Sequence, residues 1–170
     1  MISVPQNHFD VSSRLGQPNH IGVIVANFEA TRCHYETCLG LDWAPTQSIS
    51  TEIWVSGELL PVTYKVAWSV EGPVHIEFIE RVAETPFAPT GVHHFGYWVE
   101  DLDASVERLK STGMSLEVTR CKPDGSVPFR WAYMMGPSQL RVELMDAANK
   151  ESYKNYLEHG TPLIPGSSVS

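Results

Sequence analysis

The spacing of hydrophobic and polar positions along the chain changes from two to about 3.6 and back again, twice, which is how strand, helix and strand follow one another. Ile21, Val23 and Val25 alternate with His20, Gly22 and Ile24 as a first strand. Asn27 is placed to cap a helix that carries Phe28, Tyr35 and Leu39 along one side before Gly40 ends it. Residues 101–113 repeat that pattern with Leu102, Val106 and Leu109, so both helices read as amphipathic and packed on a sheet. Strand candidates follow each helix: residues 41–45, 62–69 and 74–79, then 115–120, 129–135 and 139–145. Glu71-Gly72-Pro73 and Gly136-Pro137-Ser138 are turn sequences that join the last two strands of each set as hairpins.

The two sets are copies of one another. HIGVIVANFEA from His20 matches HFGYWVEDLDA from His94, pairing Gly22 with Gly96 and Val25 with Val99. VHIEFIE from Val74 matches LRVELMD from Leu140, pairing Glu77 with Glu143. The two offsets differ by eight residues, so the first copy carries an insertion, which the stretch 47–60 accommodates as a loop.

The expected fold is α+β: two tandem βαβββ modules forming a curled mixed sheet around a cavity, with the helices on its outer face. Residues 1–18 read as an N-terminal arm, 19–82 as the first module, 92–147 as the second, and 148–170 as a short helix and tail.

Strand alternation then decides where the polar residues point, because residues two apart share a face. If Ile21, Val23 and Val25 face a helix, His20 faces away, and by the same parity so do Glu77, His94 and Glu143. One His and one Glu from each module thus occupy the open face. Two imidazoles and two carboxylates suit one divalent ion, with Zn, Ni, Co, Mn and Fe all compatible. Parity puts His93 on the helix side and so favours His94 over it. His75 and Arg141 share the open face with the glutamates, as substrate or carboxylate partners. Trp54, Trp68, Trp98, Trp131 and Tyr133 fall in or near strands that line the cavity, as core filling or as a wall for an apolar substrate.

Bulk properties narrow the function. At 170 residues and 42% hydrophobic, the chain closes one globular unit. A net charge of -8, from 12 Lys+Arg against 20 Asp+Glu, disfavours nucleic acid and anionic membrane as partners and leaves a small molecule. Arg120, Lys122 and Arg130 are scattered charges rather than a concentrated basic run. Three cysteines without a framework of spacings read as free thiols, and with neither a leader pattern nor a membrane span the expected location is cytoplasmic.

The segments HIGVIV…YETCLGL, VHIEFIE, GVHHFGYWVEDLDASVERLKSTG and LRVELMD together resemble the vicinal oxygen chelate superfamily of glyoxalases, bleomycin-resistance proteins and extradiol dioxygenases, over roughly residues 19–147. The likeness is strongest to the branch with methylmalonyl-CoA epimerase and glyoxalase I. That resemblance implies metal ligands at His20, Glu77, His94 and Glu143, with Glu143 leaving the metal to act as base. It implies a redox-neutral lyase, isomerase or epimerase that stabilises an enolate or enediolate of a chelated carbonyl or thioester substrate, and homodimers are common in the family. The branch's second base aligns with Lys65 in VTYKVAW, where the bland reading is an exposed strand lysine and the functional one a base or anion ligand. An Fe(II) extradiol-type dioxygenase and a metal-free binding protein are the alternatives. Glu77 counts against the former, and the filled ligand set against the latter.

Overall fold

The computed structural model describes residues 15–163 and 168–169. Strand β1 (His20–Val25), helix α1 (Phe28–Leu39) and strands β2 (Gln47–Val55), β3 (Glu58–Trp68) and β4 (His75–Glu80) make the first unit. Strand β5 (Gly91–Val99), helix α2 (Leu102–Ser111) and strands β6 (Ser115–Arg120), β7 (Phe129–Met135) and β8 (Arg141–Asp146) make the second. A 3-10 turn at Ala147–Asn149 leads into helix α3 (Lys150–His159), and β9 (Ser168–Val169) pairs with Gln47 and Ser48. The N-terminal arm expected over residues 1–18 lies largely outside the described residues. No helix among them is long and apolar enough to cross a membrane.

The caps are those the sequence predicts. Asn27 accepts from the Ala30 amide at 3.2 Å and Asp101 from the Ala104 amide at 2.9 Å, each satisfying a donor that the helix start leaves without a partner. Gly40 ends α1 at φ 67, a left-handed conformation that costs glycine little. The helices differ in how they dock. Leu102, Val106 and Leu109 of α2 are all buried, each contributing about 1.5–3 kcal/mol. On α1 only Phe28 is buried, whereas Tyr35 is 36% and Leu39 59% exposed, so its expected apolar stripe is half uncovered.

The strands run β3-β4-β1-β5-β8-β7-β6-β2, and β2 pairs back onto β3, closing a ring. At its centre β1 lies antiparallel to β5, while β1/β4 and β5/β8 are parallel, so the two units are related by a pseudo-twofold through β1 and β5. Ile24, Val66, Ile79 and Val118 point inward, and Val25, Phe78, Val99 and Leu144 point out toward the helices.

The segment after α1 departs from expectation. Residues 41–45 make only a bridge between Trp43 and Ser69, and the insertion expected as a loop is strand. β2 and β3 form one long hairpin, paired from Gln47↔Val66 to Val55↔Glu58 about a turn at Ser56 (φ 49) and Gly57 (φ 112). The added length lets Trp54 and Val55 reach Thr119 and Val118, which closes the ring.

Candidate metal centre

Four buried side chains converge inside the ring. His20 Nε2 lies 2.8 Å from His94 Nε2. Glu143 Oε2 is 2.9 Å from the His20 nitrogen and 3.3 Å from that of His94; Glu77 Oε2 is 3.6 and 3.2 Å from the same atoms. One donor atom from each residue falls within 4.8 Å of the others. Donors held roughly 2.0–2.2 Å from a shared ion stand roughly 3 to 3.6 Å apart, and the His–Glu separations of 2.9 to 3.6 Å lie close to that spacing. Glu77 Oε2 and Glu143 Oε2 are buried and receive no well-aligned hydrogen bond, although an oxygen left so costs free energy. A divalent cation would satisfy both.

The ligand strands sit close because glycine lets them. His20 is paired across β1/β5 with Gly96, and Gly22 with His94. A Cβ on Gly22 would stand 2.0 Å from His94 Cε1, and one on Gly96 1.9 Å from His20 Cε1. Each module's imidazole therefore occupies the space that the other module's glycine leaves empty.

A bulge supplies a residue that parity hides. The β1/β5 register shifts between Gly22 and Val23, whose partners are His94 and Val92, so His93 is the extra residue. It turns inward against Phe87 and Tyr133 instead of toward the helix. Burial, then the neighbouring His94 and Arg141, push its imidazolium down to about 3, so the ring is neutral at physiological pH. Its Nε2–H donates to Pro86 O (3.2 Å), which leaves Nδ1 as an acceptor for His94 Nδ1–H at 2.9 Å. The relay fixes the ring's orientation and turns His94 Nε2 toward the cluster. On the other side, His20 Nδ1–H donates to Asn19 Oδ1 at 3.4 Å.

Without an ion the cluster holds protons. Burial disfavours the His94 imidazolium, but Glu143 and then Glu77 outweigh it and raise the group to about 9. Burial acts to raise Glu143, and the close approach of His20 and His94 brings it down to about 2.

The cluster opens on a cavity of about 820 Å³, mouth included, walled by Trp68, Trp98, Trp131 and Tyr133. Trp68 stacks edge-on against His20 at 4.1 Å and Tyr133 leans on His94 at 4.7 Å, one aromatic from each unit. Of the sequence-predicted pocket residues, Trp68, Trp98 and Tyr133 line it. Arg141 does not: its guanidinium is held by Glu117 at 2.6 and 2.8 Å and by His93 O. Nor does His75, which is bonded to Ser69 O and lines a separate hollow with residues of α3. Lys65 is on the outer face, where its Nζ pairs with Glu29 at 2.9 Å. β3 presents Tyr64, Val66 and Trp68 inward instead, and Trp54 likewise stays out of the cavity. Tyr153 of α3 reaches in as well, with a buried hydroxyl that has no hydrogen-bond partner among the described residues.

A curled sheet of paired βαβββ units brings two imidazoles and two carboxylates together in an arrangement that could hold an ion. The family model described as Glyoxalase/Bleomycin resistance protein/Dioxygenase superfamily matches residues 19–127, and the chain belongs to that superfamily. It is 21% identical over 140 residues to the uncharacterized protein YaeR of Escherichia coli strain K12, spanning 78% of this chain and 97% of that one. Among solved structures it resembles methylmalonyl-CoA epimerase from Mycobacterium tuberculosis, with TM-score 0.54, 21% identity, and 86% and 97% of the two chains covered. A variant of 4-hydroxymandelate synthase from Streptomyces coelicolor aligns with TM-score 0.53 at 15% identity, over 76% of this chain and 48% of that one. These likenesses establish the fold.

Proposed function

We propose that the protein is a divalent-metal-dependent lyase, isomerase or epimerase that moves a proton next to a carbonyl without redox change. The observation that carries this reading is the convergence of Glu77 and Glu143, both buried and without aligned donors, on the nitrogens of His20 and His94. These four residues hold the ion. When bound, it would supply Lewis acidity that offsets the negative charge developing on a substrate carbonyl oxygen.

The rest falls to the chain. Glu143 takes the proton from carbon, Glu77 keeps the ligand set together, and the buried phenols of Tyr133 and Tyr153 remain neutral, because burial and the two glutamates raise both well above the usual tyrosine range. The aromatic wall excludes water from the intermediate. With Lys65 outside and no carboxylate among the inward residues of β3, the proton moves through one base, Glu143, which exchanges it with solvent, rather than between two opposed carboxylates.

The test is proton exchange. Protein loaded in turn with Zn, Ni, Co, Mn and Fe(II) is incubated in D2O with a panel of 2-hydroxycarbonyls, hemithioacetals and acyl thioesters, and the carbon-bound proton is followed by NMR. Metal-dependent exchange, abolished in Glu143→Gln, is the expected result. Absence of exchange together with oxygen uptake on catechols in the Fe(II) form would replace this reading with a dioxygenase. Failure of folded protein to take up stoichiometric metal would remove it.

A further inference from the structure

The far end of the cavity carries a feature that the proton-transfer reading does not use. Arg120 and Arg130 both line it, and both guanidinium groups lie against one ring, 6.0 and 5.9 Å from the centroid of Phe129. Among the described residues neither has a carboxylate within ion-pair distance, although Arg130 Nη1 touches Leu163 O at 3.4 Å. Lys65, Lys110, Lys122, Arg141 and Lys150 each pair with an acid, and the other cations without an ion pair among the described residues, Arg81, Arg108 and Lys154, lie outside this cavity.

The backbone is bent to put them there. The β6/β7 register shifts between Thr119 and Arg120, whose partners are Ala132 and Phe129, so Arg130 and Trp131 bulge. Arg130 sits at φ 67, a left-handed conformation that a long side chain adopts only at a cost. Two adjacent cations, half-buried together, repel and lose hydration, and burial followed by Arg130 lowers the Arg120 pKa. An oxyanion relieves both penalties, and the planar guanidinium fork suits carboxylate and phosphate.

Tyr64 stands between the two ends: burial, Glu77 and Glu143 push its phenol up while Arg120 opposes them. The cavity lining thus carries the two glutamates, two cations and an aromatic wall that includes Phe87 and Trp131.

We infer that the substrate is bifunctional, with chelating oxygens at the His20, Glu77, His94 and Glu143 end and an oxyanion, carboxylate or phosphate, at Arg120 and Arg130. The inference rests on the metal-dependent reading above for the first end only.

Matched probes test it by calorimetry on metal-loaded protein. 2-Oxoglutarate and 2-oxopentanoate share a chelating 2-oxo acid and differ by a distal carboxylate in place of methyl; 2-oxoadipate and 2-oxohexanoate repeat the pair one carbon longer, and 2-oxo-4-phosphonobutanoate places a phosphonate there. The distal anion tightens binding about tenfold or more in at least one length. Arg120→Gln/Arg130→Gln brings that ratio to within about twofold while metal content and the affinity for the uncharged-end probe stay unchanged. Arg120→Lys/Arg130→Lys retains part of the preference. A stronger response to phosphonate than to carboxylate assigns a phosphate end, and the reverse a carboxylate end. Equal affinities within both pairs, or a preference that survives the double Gln variant, overturns the inference. The metal reading fails on a different result: no stoichiometric metal, with the preference persisting in chelator-treated protein.

Discussion

The imidazole of His94 fills the place a side chain on Gly22 would take, with Cε1 only 2.0 Å from a Cβ built there. The same holds for His20 over Gly96. Each half of the donor set is therefore built on an absence in the opposite half, and one methyl tests the coupling between them.

Gly22→Ala and Gly96→Ala each push a ligand ring off the cluster. The neighbour is a buried ring with no room to retreat, so overpacking costs about 1–3 kcal/mol. Metal per chain, measured by mass spectrometry, falls well below one in both variants, and the melting temperature falls with it. Full metal content in either would show that the rings have slack.

His93→Phe keeps the stacking against Phe87 and Tyr133 but removes the acceptor for His94 Nδ1–H. Orienting partners of this kind contribute about 10–100-fold in metal affinity. Competition with a chromogenic chelator measures the loss, and unchanged affinity would reduce His93 to core filling.

Metal uptake by the cluster is acid-sensitive. The His94 pKa of the metal-free protein is raised to about 9, so below that value an ion must displace its proton. Affinity therefore climbs between pH 7 and 9 by up to about one decade per unit and levels off above. The metal-free fold behaves oppositely with respect to this group. Its contribution to stability is full below the ordinary histidine pKa and is lost as pH rises through about 9. Chelator titrations and thermal melts across that range separate the two trends.

Chelation of a bound ion lowers the melting temperature. At a free concentration 1,000 times Kd an ion contributes about 4.1 kcal/mol, and Glu77→Ala removes most of the difference between loaded and stripped protein. Coincident melts of the wild type with and without metal would contradict the site.

Lys65→Met leaves metal content, proton exchange and probe binding at wild-type values, because its partner is Glu29 on the outer helix and both groups are solvent-exposed. A loss of exchange in this variant would call for an arrangement of β3 different from the one described.

The convergence of the four side chains was readable in sequence because two copies of one pattern placed His and Glu at equivalent parities. Parity also had the information to exclude Lys65: Tyr64, Val66 and Trp68 face inward, so the lysine between Tyr64 and Val66 does not. What it could not reveal was His93, since a bulge adds a residue and breaks the count. β2 was hidden for another reason. Ser48, Ser50, Thr51 and Glu52 give the stretch the composition of a loop, while Ile49 and Ile53 supply its buried face at wide intervals. Tyr153 and the Arg120/Arg130 pair come from a helix and a bulge whose approach to the cavity depends on tertiary packing, which period and composition leave unstated.

The lengthened β2/β3 hairpin has a consequence unconnected with chemistry. A free strand edge offers rows of N–H and C=O groups to any other chain, and curled sheets built from two units would leave one such edge on each. Here Trp54 and Val55 close against Thr119 and Val118, the Ser56 amide donates to Glu117 O, and Ser168 and Val169 cover Gln47 and Ser48. The extra residues of the first unit thus join the two borders at one end and shorten the edge left open to strand-to-strand pairing.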